Sequence, residues 1–241
     1  MKQVVPDLPE FDEYQYQQCR EVKRINVSAA FFLSIEFQQT GYLVYRTFKA
    51  AYGDSLSLNV PGTIPITRFN DFLSDTRIIG DGVVVGQGNW EEKLEANKQA
   101  YALEFVQRAR FTTAFPTTMT ADQFVAKLIQ NAGVTLTTGE RDQLISTLGA
   151  TPADASRRAQ VLRSVAENQQ LRQAELNRAF VLMEYFGYLR RNPDAAPEAT
   201  LNYAGWKFWL DKLNEFSGNY VEAEMVKAFI SSDEYRKRFG Q

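Results

Sequence analysis

The residues of this chain that could carry chemistry are carboxylates, arginines and aromatics, because there is no histidine. Without an imidazole, Ser-His-Asp and Cys-His catalysis, the usual zinc sites and the commonest proton shuttle near neutral pH all drop out. The one cysteine, Cys19, cannot close an intrachain disulfide. With no base readable beside it, it is an ordinary thiol. Glu184, Glu222, Glu224 and Glu234 would serve a glycosidase only as a pair about 5–9 Å apart in a cleft, and their spacing in sequence suggests no such pair. Glu234 reads better as the cap of a short helix, opposite Ser231. Asp81, Glu91, Glu92, Asp194 and Glu198 offer oxygen ligands, but no Asp-x-Asp-x-Asp-Gly loop is present, so they read as solvated charges. Gly80-x-Gly82-x-x-x-Gly86 has the wrong spacing for a dinucleotide loop and reads as a tight connection between helices. No catalytic residue, metal or cofactor is expected.

Binding chemistry concentrates elsewhere. Tyr203, Trp206, Phe208 and Trp209 stand close to Arg190 and Arg191 in sequence. Aromatic faces stack on sugars, and guanidinium groups donate fixed, directional hydrogen bonds to hydroxyls. Phe208 and Trp209 read as core. Tyr203 and Trp206 suit a core stripe and a glycan platform about equally. Arg190 and Arg191 can satisfy the last carbonyls of a helix or reach a ligand. The candidate binding set is therefore Arg190, Arg191, Tyr203 and Trp206. They are expected to face a groove between the helix ending at Arg191 and the one beginning at Tyr203.

The elements that must position these residues are mostly helices. Val27, Ala30, Phe31 and Ser34 recur at helical spacing, and a second helix runs from Tyr42 to Tyr52. Residues 54–66, with Ser, Asn, Pro and Gly, read as a loop. Arg68 to Asp75 is a short helix. Val83-Val84-Val85 between glycines is the one β-like stretch, near residues 80–88. A long helix follows from Trp90 to about Phe111. Thr120 with Gln123 and Thr137 with Glu140 form capping boxes, while Gly133 and Gly149 sit just past helix ends. Thr151-Pro152 is expected to open the next helix, with Pro at its first position. Arg157 to Arg191 is nearly continuous helix with a break near Asn168. Tyr203 to Phe216, a helix around Val221 to Phe229 and a last short one follow.

These segments are self-similar. Ala30-Phe31-Phe32-Leu33-Ser34-Ile35-Glu36-Phe37 matches Ala228-Phe229-Ile230-Ser231-Ser232-Asp233-Glu234-Tyr235 closely, and Glu104 to Phe111 and Leu162 to Leu171 match more loosely. Tyr185 to Leu189, Arg191-Asn192-Pro193-Asp194, Gly205-Trp206-Lys207-Phe208-Trp209-Leu210 and Ala228 to Tyr235 together resemble the bacterial domain of unknown function 4214. The match covers residues 175–241 and about 20–50 and is degenerate between. That family is similar in pattern to the phycobilisome linker domain and to the helical anchoring region of bacterial surface-layer proteins that holds lipopolysaccharide O-chains. The resemblance implies a secreted or surface setting and a binding role rather than chemistry. It also implies that the unit ending at Phe37 lacks its first helices and that Cys19 stands where a paired cysteine would be.

The bulk composition agrees with a packed helical domain. Hydrophobic residues make up 44% of the 241 residues and aromatics 13%, enough to fill a core without metal or disulfide. With 27 basic and 29 acidic residues, net −2, the chain has no basic excess for nucleic acid. No apolar run is long enough to span a membrane, and no signal peptide opens the chain. It reads as a cytosolic protein or as a segment of a longer one. The expected architecture is all-α: about three repeated antiparallel helical units, with one short β-like excursion. The tail is 1–18, the units 19–115, 116–174 and 175–241. The expected function is a non-catalytic surface module binding bacterial polysaccharide. The alternatives are a linker-type protein scaffold and, further off, a carbohydrate-active enzyme. Phe31, Phe32 and Phe37, in a unit missing its first helices, suggest self-association through the N-terminal end.

Overall fold

The protein is all-α apart from one two-stranded sheet in a computed structural model, which describes residues 34–57 and 60–238 together with 16, 19–20, 22–23 and 25–27. Phe31 and Phe32, and with them the N-terminal contact they would make, lie outside the described residues, as does most of the 1–18 tail. Phe37 is buried.

Two short N-terminal helices, α1 (Ile35–Gln39) and α2 (Gly41–Tyr52), start the described core. Ser34 caps α1, its Oγ accepting from the Phe37 amide at 3.1 Å. Helix α2 is buried almost all round, as a central helix should be. It has no room for a side chain at Gly41, where a Cβ would stand 2.8 Å from the Phe72 ring. The one buried cation on α2, Arg46, is satisfied by the Tyr42 and Ala166 carbonyls at 3.2 and 2.8 Å.

The sheet lies between α2 and the next helix. Strands β1 (Asp54–Ser57) and β2 (Val60–Pro65) pair antiparallel, Asp54 opposite Pro65 and Leu56 opposite Thr63. It forms in the segment expected to be a loop, while residues 80–88, expected to be β-like, hold the last helical residue, Gly80, and then turns without a strand. There Gly82, Gly86 and Gly88 take positive φ, and the Val83 and Gln87 amides close turns onto the Gly80 and Val84 carbonyls. Too few residues stay extended between those turns to pair with anything. Among the described residues of 54–65 only Gly62 has positive φ, and pairing satisfies the backbone on either side of it.

Helices α3 (Phe69–Gly80), α4 (Trp90–Phe105) and α5 (Ala109–Ala114) follow. The long helix expected to reach Phe111 is broken at Val106–Arg108. Arg108 adopts an extended backbone and grips the buried Asp75 with two bonds of 2.8 Å, while also holding Glu104. That long-range ion pair outweighs continuing the helix. Helices α6 (Ala121–Ala132) and α7 (Thr138–Leu148) carry both expected capping boxes, and Gly133 and Gly149 follow them at positive φ. Helix α8 (Ala155–Ala166) starts later than expected. Asp154, not Thr151, is its cap, accepting from the Arg157 amide at 2.9 Å, and Pro152 lies in the preceding turn. After the expected break, Asn168 caps α9 (Gln169–Ala174). Helix α10 (Leu176–Glu184) then runs into a π-helical turn, Tyr185–Leu189, stopped by Arg190 in the left-handed conformation. Helices α11 (Ala204–Glu215), α12 (Met225–Ser231) and α13 (Asp233–Lys237) complete the fold. Ser232 rather than Ser231 caps α13, accepting from the Tyr235 amide at 3.1 Å. Glu234 is not the capping partner.

One local pattern recurs. A helix ends, one to three residues break it, and a helix of five or six residues follows. Burial alternates identically along 101–110 and 161–170. Phe105 and Phe111, and Val165 and Leu171, are buried six residues apart on either side of the break; Phe229 and Tyr235 hold the same places at the C-terminal end, Tyr235 only partly covered. The buried apolar side chains from Phe37 to Ile230 form one continuous cluster.

Candidate functional site

The residues singled out from sequence do not share an open surface. On α11, Trp206, Leu210 and Leu213 are buried at helical spacing, and this stripe fixes the inward face. Trp206 is 0% exposed, its indole N–H reaching the Arg178 carbonyl at 3.4 Å and its ring lying under the Arg178 guanidinium. Tyr203 is 2% exposed, edge-on to Trp206. Its hydroxyl accepts from Arg68 at 3.3 Å, and burial pushes its pKa up to about 12. Neither ring presents a face to solvent, so both belong to the core. Phe208, read as core, is instead 58% exposed. It sits about 200° round the helix from Trp206, on the outer side. The positions of Leu210 and Leu213 could have revealed this from sequence.

The two arginines are held by the protein itself. Arg191 binds Glu234 through two bonds, Nε to Oε1 at 2.7 Å and a terminal nitrogen to Oε2 at 2.9 Å. Its other terminal nitrogen donates to the Asn192, Pro193 and Ala195 carbonyls at 3.1–3.2 Å. It thus ties the loop after the π-turn to α13, which is what Glu234 does in place of capping. Arg190 lies over the Phe69 ring at 5.3 Å. Asp194 is bound by Arg68 at 2.9 Å. Glu222 and Glu224 are exposed. No group of three or more candidate metal ligands occurs among the described residues. Glu184 is different: it is wholly buried, and neither carboxylate oxygen has a hydrogen-bond partner. Burial drives its pKa well above the usual carboxylate range.

A groove of about 690 Å³ opens between α4 and α8. Its walls are Gln99, Ala100 and Leu103 from α4 and Ser156, Gln160 and Ser164 from α8, over a floor of buried Ala102 and Ala159. Small side chains at the crossing open the space. The Gln160 amide and the Ser156 hydroxyl make no hydrogen bond to any described residue and are exposed, while Gln99 uses one N–H on Glu95 at 2.9 Å. One end is closed by a clasp. Arg163 donates to both oxygens of Glu95 at 2.6 Å and to Glu167 at 3.2 Å. The hydrogen bonds from Arg163 hold the Glu95 pKa down to about 2. A second depression, sharing Ala100 and Leu103, continues the groove to Glu104 and Arg108. Nothing in the sequence marked this site, because alanine, serine and glutamine on exposed helix faces are ordinary surface residues.

No family model, curated protein or solved structure matches the chain. No helix among the described residues is long and apolar enough to cross a membrane.

Proposed function

We propose that this protein is a non-catalytic binding or anchoring module of a bacterial surface, built of repeated helical units like those of the domain of unknown function 4214, and that a polysaccharide chain lies along the α4–α8 groove. The groove carries this reading. It offers amide and hydroxyl groups free to exchange water for sugar hydroxyls, above an apolar floor that a pyranose face can cover. Its volume is that of an oligosaccharide site rather than a single-atom or ion site. Of the four carboxylates considered for a hydrolase, Glu234 is bound by Arg191, Glu184 is wholly buried, and Glu222 and Glu224 are exposed.

The scaffold reading also has an observation behind it. Phe208 is exposed beside Trp209, the rings 5.1 Å apart, which is the kind of anchor a protein partner covers. One comparison separates the two. Ala100 is exposed on the groove wall, so Ala100→Trp fills the groove without disturbing the core. A bacterial glycan array probed with the wild type and this variant should show glycan signals that Ala100→Trp abolishes. Signals unchanged by Ala100→Trp, or none at all, would defeat the groove assignment.

A further inference from the structure

We infer that the α4–α8 groove selects among polysaccharides by charge, favouring chains with free amino groups, accepting neutral ones and rejecting chains that carry uronate or phosphate. This rests on the polysaccharide reading above and goes further, because it follows from which charges in the groove are spent.

Both guanidinium groups along the groove are already occupied. Arg163 places its donors on Glu95 and Glu167. Arg108, on the extension, places its donors on Asp75 and Glu104. Three carboxylates, Glu95, Glu167 and Glu104, therefore line the groove and its extension against two cations, while Asp75 and Lys98 are buried behind the walls, Lys98 donating to Gln39, so no unspent cation lines the groove to meet an anionic sugar. A ligand carboxylate or phosphate entering here would lose water and gain only repulsion from the excess negative charge. An ammonium group has the opposite fate. Glu167 is only partly covered, and its contacts with Arg163, at 3.2 and 3.3 Å, are longer than those of Glu95. Its oxygens retain lone pairs on the solvent side, within reach of an amino sugar lying beside Ser164 on the same wall. The neutral part of the groove, Gln99, Gln160 and Ser156, reads hydroxyl groups without regard to charge.

The test uses the whole chain and three soluble probes: fully deacetylated chitosan oligosaccharides, neutral dextran oligosaccharides and oligogalacturonate. Calorimetric titrations are run at slightly acidic pH, at ionic strengths of about 10 mM and about 150 mM, between which the Debye length falls from about 30 Å to about 8 Å. The chitosan oligosaccharides should bind about threefold more tightly than the dextran oligosaccharides at low salt, as expected for a partly exposed charge contact, and the margin should shrink at high salt. Oligogalacturonate should show no measurable heat. Glu167→Gln should erase the amino-sugar margin, bringing the ratio of chitosan to dextran affinity to about one, while Ala100→Trp should abolish all binding. Oligogalacturonate binding as tightly as dextran, or a chitosan margin that survives Glu167→Gln, overturns the charge selection and leaves the polysaccharide reading standing. Failure of all three probes removes the polysaccharide reading and this inference with it.

Discussion

A carboxylic acid sealed in a helical core with both oxygens unpartnered should leave a measurable trace on stability, and Glu184 allows that trace to be worked out. In the folded chain burial favours the proton-bound form, so its pKa lies well above the ordinary value it has when unfolded. Below the ordinary value both states hold the proton and the residue costs only its burial. Above it the unfolded chain releases the proton while the folded chain keeps it. Stability therefore falls as pH rises, by about 1.4 kcal/mol per unit, until the folded carboxyl itself ionises. Glu184→Leu removes the titrating group and replaces it with a side chain of similar size beside Val181 and Met183, both buried. Urea denaturation followed by circular dichroism, on wild type and variant together, isolates the effect, since every other titrating group cancels in the difference. The variant should gain about 1.4 kcal/mol on the wild type between about pH 5 and about pH 6, and should gain further toward neutral pH. A difference that stays flat across that range, or a wild type more stable than the variant at neutral pH, would show that Glu184 has a partner or water that lowers its pKa.

Three further outcomes follow from the packing. Trp206→Ala should cost about 3–5 kcal/mol in denaturant melts, because the indole is fully enclosed, whereas Phe208→Ala should cost well under 1 kcal/mol from its exposed position. Asn168→Ala should cost about 1 kcal/mol, since the Asn168 side chain accepts from the Gln170 and Leu171 amides at the start of α9; a neutral result by thermal melt would mean that the break after α8 does not depend on this cap. Arg191→Met should cost about 2–3 kcal/mol by losing the Glu234 pair and the loop carbonyls, and hydrogen exchange should rise first in residues 192–202; protection unchanged there would refute the tie between loop and α13.

What could be read from the sequence was mostly local. The capping boxes at Thr120 and Thr137 need only residues three positions apart, and both helices begin where those pairs place them. Asn168 likewise announces its own break. The failures have long-range causes. The helix from Trp90 stops at Phe105 because Arg108 turns toward Asp75, thirty-three positions earlier. Arg191 is structural because Glu234 waits forty-three positions later. The sheet was hidden by Pro61, Gly62 and Pro65, whose turn-forming character masked the alternation of Val60 and Ile64 on its two-stranded ladder.

The same distinction explains why the open groove lies away from the residues with the most chemical character. In a chain with a large share of aromatics, rings are the cheapest way to fill the core, so the densest cluster, Tyr203 with Trp206, is drawn inward and its tyrosine hydroxyl is bound by Arg68. The buried Arg46 and Arg158 and the half-buried Arg191 are then spent on backbone carbonyls that packing would leave orphaned. Side chains that remain available for a ligand are those the core does not need, on helices that cross with small residues between them. Ala100, Ser156 and Gln160 meet that condition. Their lack of distinctive chemistry follows from it: a groove forms where side chains are too small to close the space, and the groups it presents are amides, hydroxyls and the charge left over at its rim.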